Sequence, residues 1–176
     1  MTIRDADARD PMTAKPTAQI WLVLSALVIA LDQLTKEIAL SNLEPFKPHE
    51  VIPGFLNWTL AFNTGAAFSF LHDAGGWQRW MFSALALIVS VVLIVWLRRL
   101  PRDDWRTALP LALVIGGAIG NLVDRVRLGR VTDFIEVYHG QWSWPAFNVA
   151  DSAISVGAVL LILFGLGGRK VLAGGG

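Results

Sequence analysis

Apolar residues gather in four long blocks separated by polar or mixed segments, and a block of about 20 apolar residues is what a helix needs to cross a bilayer. The first runs from Ile20 to Leu31 and keeps a helical pattern to about Leu40. No small-x-small cleavage site follows it, so it reads as a spanning helix, not a removable leader. Trp80 to Leu97 holds no charged residue and stops at Arg98-Arg99. Ala108 to Val123 is Gly-rich and closes on Asp124-Arg125, and Val149 to about Gly168 closes on Arg169-Lys170. The expected spans are therefore about 20–40, 80–97, 108–125 and 149–168.

Two segments carry a different pattern. Gly54 to Phe70 is rich in aromatic and β-favouring residues and is broken by Gly65. It predicts a small β-element, within about 42–76, lying on the membrane surface. Val131 to Tyr138 reads as a short strand, with Val131, Asp133, Ile135 and Val137 on one face. Residues 1–18 mix both charge signs with Pro11 and Pro16 and read as a flexible tail; residues 169–176 form a second tail. The expected fold class is a membrane all-α domain over 19–168, with four transmembrane helices, the β-element and a loop over the site.

Composition sharpens this picture. Hydrophobic residues make up 54% of the chain and charged residues only 16%, the balance of a membrane protein. The net charge of +1 gives no basic field, and no nucleic-acid partner is expected. There is no Cys, which excludes disulfides, thiolate catalysis and Cys-based metal sites. His49, His72 and His139 are scattered without i, i+4 spacing, so no metal and no organic cofactor is expected. The basic residues cluster in three segments: Arg4, Arg9 and Lys15; Arg98, Arg99, Arg102 and Arg106; and Arg169 with Lys170. The positive-inside rule places both termini and the 98–106 link in the cytoplasm. Residues 41–79 and 126–147 then face outward, where Arg125, Arg127 and Arg130 run against the rule. Trp77, Trp80, Trp96, Trp105, Trp142 and Trp144 fall near helix ends, as an interfacial aromatic belt requires.

Ionisable groups at membrane depth are costly unless paired or wetted. Four carboxylates, Asp32, Asp124, Asp133 and Asp151, fall at helix ends on the same outer side. Asp32 and Lys36 have the spacing of an intrahelical ion pair. Asn121, Asp124 and Arg125 form one polar helix face. Asn148 and Asp151 have N-cap and N3 spacing, which capping alone explains. Yet Asn148, Asp151, Ser152 and Ser155 also make a stripe that must avoid lipid. Asp133 is explained worst by structure alone, because its strand face is otherwise apolar. Desolvation and a second carboxylate would both raise its pKa. Asp133 and Asp151 could share one proton and activate a water. Gly116 and Gly120 have the G-x-x-x-G spacing that lets helices approach closely.

Five motifs in series complete the reading: Asp32-Gln33-x-x-Lys36; Asn63-x-Gly65-Ala66-Ala67-Phe68; Gly116-Gly117-Ala118-x-Gly120-Asn121-x-x-Asp124-Arg125; Val131-x-Asp133-Phe134-Ile135; and Phe147-Asn148-x-Ala150-Asp151-Ser152. In this order and spacing the chain resembles the bacterial lipoprotein signal peptidases (signal peptidase II) over about residues 20–168. The resemblance implies an aspartic endopeptidase of the bacterial inner membrane that cuts prolipoproteins just before a diacylglyceryl-modified Cys. It implies Asp133 and Asp151 as the catalytic pair. Asn63, Gly65, Asn121, Arg125 and Asn148 would line the site, with Asp32, Lys36 and Asp124 as its supporting framework. The implied partners are diacylglyceryl-prolipoproteins, membrane lipids and cyclic peptide inhibitors such as globomycin. Two other readings stay open on the residues alone. One is a proton or cation pathway, against which no chain of carboxylates crosses the bilayer and no inverted repeat is visible. The other is a non-catalytic lipid-binding subunit, which leaves Asp133 unexplained.

Overall fold

The computed structural model describes residues 17–65 and 76–168. Four helices are present: α1 (Leu22–Asn42), α2 (Trp77–Arg99), α3 (Trp105–Leu128) and α4 (Val149–Gly168). The stretches Ala18–Asn42, Trp77–Arg99 and Trp105–Leu128 are each long and apolar enough to cross a membrane, and α4 is apolar over Val149–Gly165. The chain is a multi-pass membrane protein. Its outward surface is apolar, with Leu27, Ile88 and Ile162 each about 60% exposed, as lipid-facing positions are.

α3 is the central helix and packs against the other three. Its glycines make this possible. A Cβ on Gly116 would meet Val28 of α1 at 2.7 Å, and one on Gly120 would meet Asp32 Oδ2 at 2.7 Å. A Cβ on Gly117 would strike the Ala150 carbonyl oxygen of α4. The expected G-x-x-x-G contact thus exists, to α1, and the glycine between them serves α4. α3 begins at Asp104, whose side chain accepts from the Thr107 amide at 3.2 Å, and ends at Gly129 with φ 76°.

The strands are β1 (His49–Ile52), β2 (Leu56–Asn63), β3 (Val131–His139) and β4 (Trp142–Ser143), joined in that order in one antiparallel sheet. The two β-segments read separately from the sequence are therefore one element. Its central pairing sets Ala61 opposite Asp133 and Asn63 opposite Val131. The strand within Gly54–Phe70 stops at Asn63, and residues 66–75, to which part of the expected loop over the site belongs, lie outside the described residues. The N-terminal expectation is also corrected. Thr17 bridges Pro101, and Ala18 is fully buried with its amide bonded to Leu100 O at 3.2 Å, so the fold begins before residue 19. A small residue at 18 fits where the chain enters between α2 and α3.

Candidate active site

The site lies where the C-terminal half of α1, the last turns of α3, β3 and the first turn of α4 meet. Its base is an ion triad. Lys36 Nζ sits 2.8 Å from Asp32 Oδ2 and 3.1 Å from Asp124 Oδ2, with all three side chains essentially buried. The i, i+4 pair expected within α1 is present, and a second carboxylate from α3 joins it. Gln33 Nε2 ties the group together, donating to Asp32 Oδ2 (3.2 Å), Asp124 Oδ1 (3.0 Å) and Gly120 O (3.2 Å). Both carboxylates also accept from backbone amides. Asp32 Oδ1 accepts from the Ala150 amide at 2.9 Å, and Asp124 Oδ2 from the Thr132 amide at 2.9 Å. One carboxylate thereby fixes the start of α4 and the other fixes the start of β3. These two backbone attachments, and Gln33 as cross-link, escape a reading by residue type; the adjacency of Gln33 to Asp32 is the one signal for it.

Above the triad stand two carboxyls held by amides. Asn148 caps α4: its Oδ1 accepts from the Asp151 amide at 2.9 Å, and its own amide donates to Asp151 Oδ2 at 3.3 Å. Its Nδ2 donates to Asp133 Oδ1 at 2.7 Å. The capping expected of Asn148 and Asp151 is present, and the same cap sets Asp151 beside Asp133. Asn121 Nδ2 donates to Asp151 Oδ1 at 2.7 Å. Asn63 binds the Asp133 carboxyl as well, and its Oδ1 accepts from the Gly65 amide at 2.8 Å. Gly65, at φ 97°, has no room for a side chain, since a Cβ would meet the Phe82 ring at 2.5 Å. That ring lies 5.6 Å below the Arg125 guanidinium, which also donates to Asn121 O at 3.3 Å.

Asp133 is 2% exposed. The surroundings differ from the apolar face expected of it, because the face it lies on meets the polar cap of α4. Burial, then the neighbouring charge of Asp151, pushes its pKa up to about 7. Asp151 is half-buried and borders two grooves. One, of about 460 Å³, is lined by residues 144–147 together with Asp151, Ser152, Ser155 and Val156. The polar stripe of α4 therefore faces a groove, as its avoidance of lipid requires. The other, of about 340 Å³, lies between α2, α3 and α4 and includes Phe82, Asn121 and Arg125. Two of the arginines that run against the positive-inside expectation have local explanations. Arg127 pairs with Glu37 at 3.0 Å, and Arg130 stacks 3.5 Å over the Phe62 ring. Among the described residues, no three His, Asp or Glu side chains gather as a metal would need.

A membrane-embedded helical domain, capped by a sheet that delivers one buried carboxyl to another on a helix, has the build of a membrane enzyme. Two solved structures described as bacterial membrane enzymes, determined by the in meso method at 2.3 and 1.9 Å, share it. The first superposes with a TM-score of 0.76 at 29% identity, covering 92% of this chain and 96% of that one. The second gives 0.70 at 30% identity, covering 85% and 94%. The family described as signal peptidase (SPase) II matches residues 24–166. A lipoprotein signal peptidase of Xanthomonas campestris pv. campestris (strain 8004) is 59% identical over 151 residues, 86% of this chain and 90% of that protein. One of Xylella fastidiosa (strain M12) is 58% identical over 152 residues, 85% and 91% of the two chains. The chain belongs to the signal peptidase II family and is a peptidase.

Proposed function

We propose that the chain is an aspartic endopeptidase that removes the signal peptide from diacylglyceryl-modified prolipoproteins, with Asp133 and Asp151 as its catalytic pair. The observation that carries this reading is the contrast in charge around the carboxyls. Asp133 and Asp151 are held by the amides of Asn63, Asn121 and Asn148, with no ion-pair partner among the described residues. Two carboxyls in that setting share a proton more readily than they both ionise. The charged member takes a proton from water as the water attacks the scissile carbonyl. The protonated member hydrogen-bonds that carbonyl oxygen, and the proton from water passes to the leaving amine. Arg125, over Phe82 and beside Asp151, positions the peptide. Asn63, Gly65 and Asn148 hold the pair, and Asp32, Lys36 and Asp124 anchor it to α1 and α3.

The four-span arrangement of a single domain that takes in Thr17 and Ala18 and runs to 168, both termini in the cytoplasm and a site near the periplasmic face of the inner membrane, is supported by the clustered Arg and Lys. A reporter active only in the periplasm should work when fused after residue 50 or 140 and fail at 103; the opposite result reverses the topology. The two grooves at Asp151 suit the two arms of an extended peptide, with globomycin-like cyclic peptides competing for the same place. The decisive experiment is cleavage by the purified protein of a prolipoprotein with and without its diacylglyceryl group, in the presence of a strong chelator. Chelator-resistant cleavage that needs the lipid is expected. Chelator-sensitive cleavage rescued by zinc would sink the mechanism, and protonophore-sensitive currents without cleavage would favour a proton pathway.

A further inference from the structure

We infer that Lys36 is a positioning residue that places the negative charge of the pair on Asp151 and the shared proton on Asp133, through the orientation of the Asn121 amide. The inference rests on the aspartic-pair reading above. Lys36 is 2% exposed, and its third proton goes neither to water nor to a carboxylate: Nζ lies 3.0 Å from Asn121 Oδ1. An ammonium only donates, so Asn121 can meet it only with its carbonyl oxygen. Asn148 Nδ2 contacts the same oxygen at 3.2 Å. With Oδ1 held by two donors, Nδ2 of Asn121 must point the other way, and it lies 2.7 Å from Asp151 Oδ1.

An amide aimed N–H first at a carboxyl favours its ionised form; aimed oxygen first, it favours the protonated form. Asp133 faces Asn148 Nδ2 and Asn63, of which neither is oriented by a cation. Asp151 faces two donors of its own, Asn121 Nδ2 on one oxygen and the Asn148 amide on the other. Neither can turn round, since one is pinned by Lys36 and the other belongs to the helix cap. Asp151 also borders both grooves, where water and peptide arrive, whereas Asp133 is buried and reaches the site from behind. The charged groups facing Asp151 are Lys36 and Asp32 of α1, Arg125 of α3, and Asp133 of β3. Lys36 is already matched by Asp32 and Asp124, so its reach to Asp151 runs through the amide more than through space.

The test compares Lys36→Met with Lys36→Gln in pH profiles of cleavage by the full-length protein. Both remove the charge and keep an unbranched side chain, but only Gln can still donate to Asn121. The acidic limb, which reports ionisation of the pair, should move to higher pH by about one unit in Lys36→Met. At pH values below that limb the rate should fall about tenfold, the size of one lost hydrogen bond to a charged group. Lys36→Gln should return the limb most of the way. Equal shifts in both variants would mean a through-space charge effect and overturn the inference. If neither folds, Asn121→Leu carries the test. It leaves the ion triad intact and removes the side-chain donor to Asp151, so an acidic limb that stays in place overturns the inference. The underlying aspartic-pair reading fails separately, if Asp133→Asn or Asp151→Asn still turns over.

Discussion

The protein holds two carboxylate pairs joined through Asn121, and they are wired in opposite ways. Asp32 and Asp124 grip one ammonium, and each also accepts from a backbone amide. Asp133 and Asp151 receive only neutral amides. The first pair is bound to its ammonium and ties three helices and a strand together. The second is left able to exchange a proton near neutral pH. The same residue type becomes structure or chemistry according to whether a cation reaches it, and Asn121 is the joint between the two groups.

That contrast can be broken most sharply at the second pair. Asp133→Asn and Asp151→Asn keep the size and the accepting oxygen but remove titration. Each should lower cleavage by several orders of magnitude, and the double variant should cost little more, since the two act as a unit. Turnover within tenfold of the parent in either single variant would contradict the assignment. The first pair should fail in stability instead. Asp32→Asn leaves the Ala150 attachment possible but halves the neutralisation of a buried ammonium. A loss of about 3 kcal/mol in denaturation is expected, the scale of breaking a buried ion pair. Cleavage per folded molecule should drop far less than for Asp133→Asn. Equal catalytic losses at the two pairs would erase the distinction.

Arg125 gives a smaller effect. A lysine keeps the charge but loses the planar fork and the stacking on Phe82. Arg125→Lys should reduce cleavage about tenfold, on the scale of one stacked contact. Binding of a cyclic peptide inhibitor should weaken alongside. An unchanged rate would remove Arg125 from the site.

The helices and the pairing of Asp32 with Lys36 are legible in the sequence because each depends on a local pattern: a long apolar run, or four residues along one helix face. What is not legible is what joins distant segments. β2 meets β3 across some seventy residues of chain, so the sheet cannot be seen from either strand alone. The attachments of Asp32 to Ala150 and of Asp124 to Thr132 go to backbone amides, which have no residue type to recognise. Asp133 stands out in the sequence as a charge on an apolar strand. The amide cage around it and Asp151 does not, because Asn63, Asn121 and Asn148 also have ordinary local uses, and at Asn148 the capping bond and the bond to Asp133 come from one side chain.

The smallest effect is a stability change that runs opposite to the catalytic one. Burial and the Asp151 charge hold the Asp133 proton to about pH 7, whereas a carboxyl in the unfolded chain releases it near 3.8. Across that window the folded protein keeps a proton that the unfolded chain has lost, so folding weakens as pH rises and levels off once both have ionised. Below the window the group contributes no penalty. Asn cannot ionise and can still accept from Asn148 Nδ2. Asp133→Asn should therefore melt near the parent at about pH 4 and above it by a few degrees at about pH 8. The same ionisation should make the parent's cleavage rate fall as pH rises through about 7, when the proton offered to the scissile carbonyl is lost. Melting curves in detergent at the two pH values decide it. A difference between variant and parent that does not grow with pH would mean that Asp133 ionises as easily folded as unfolded, and the contrast between the two carboxylate pairs would lose its physical basis.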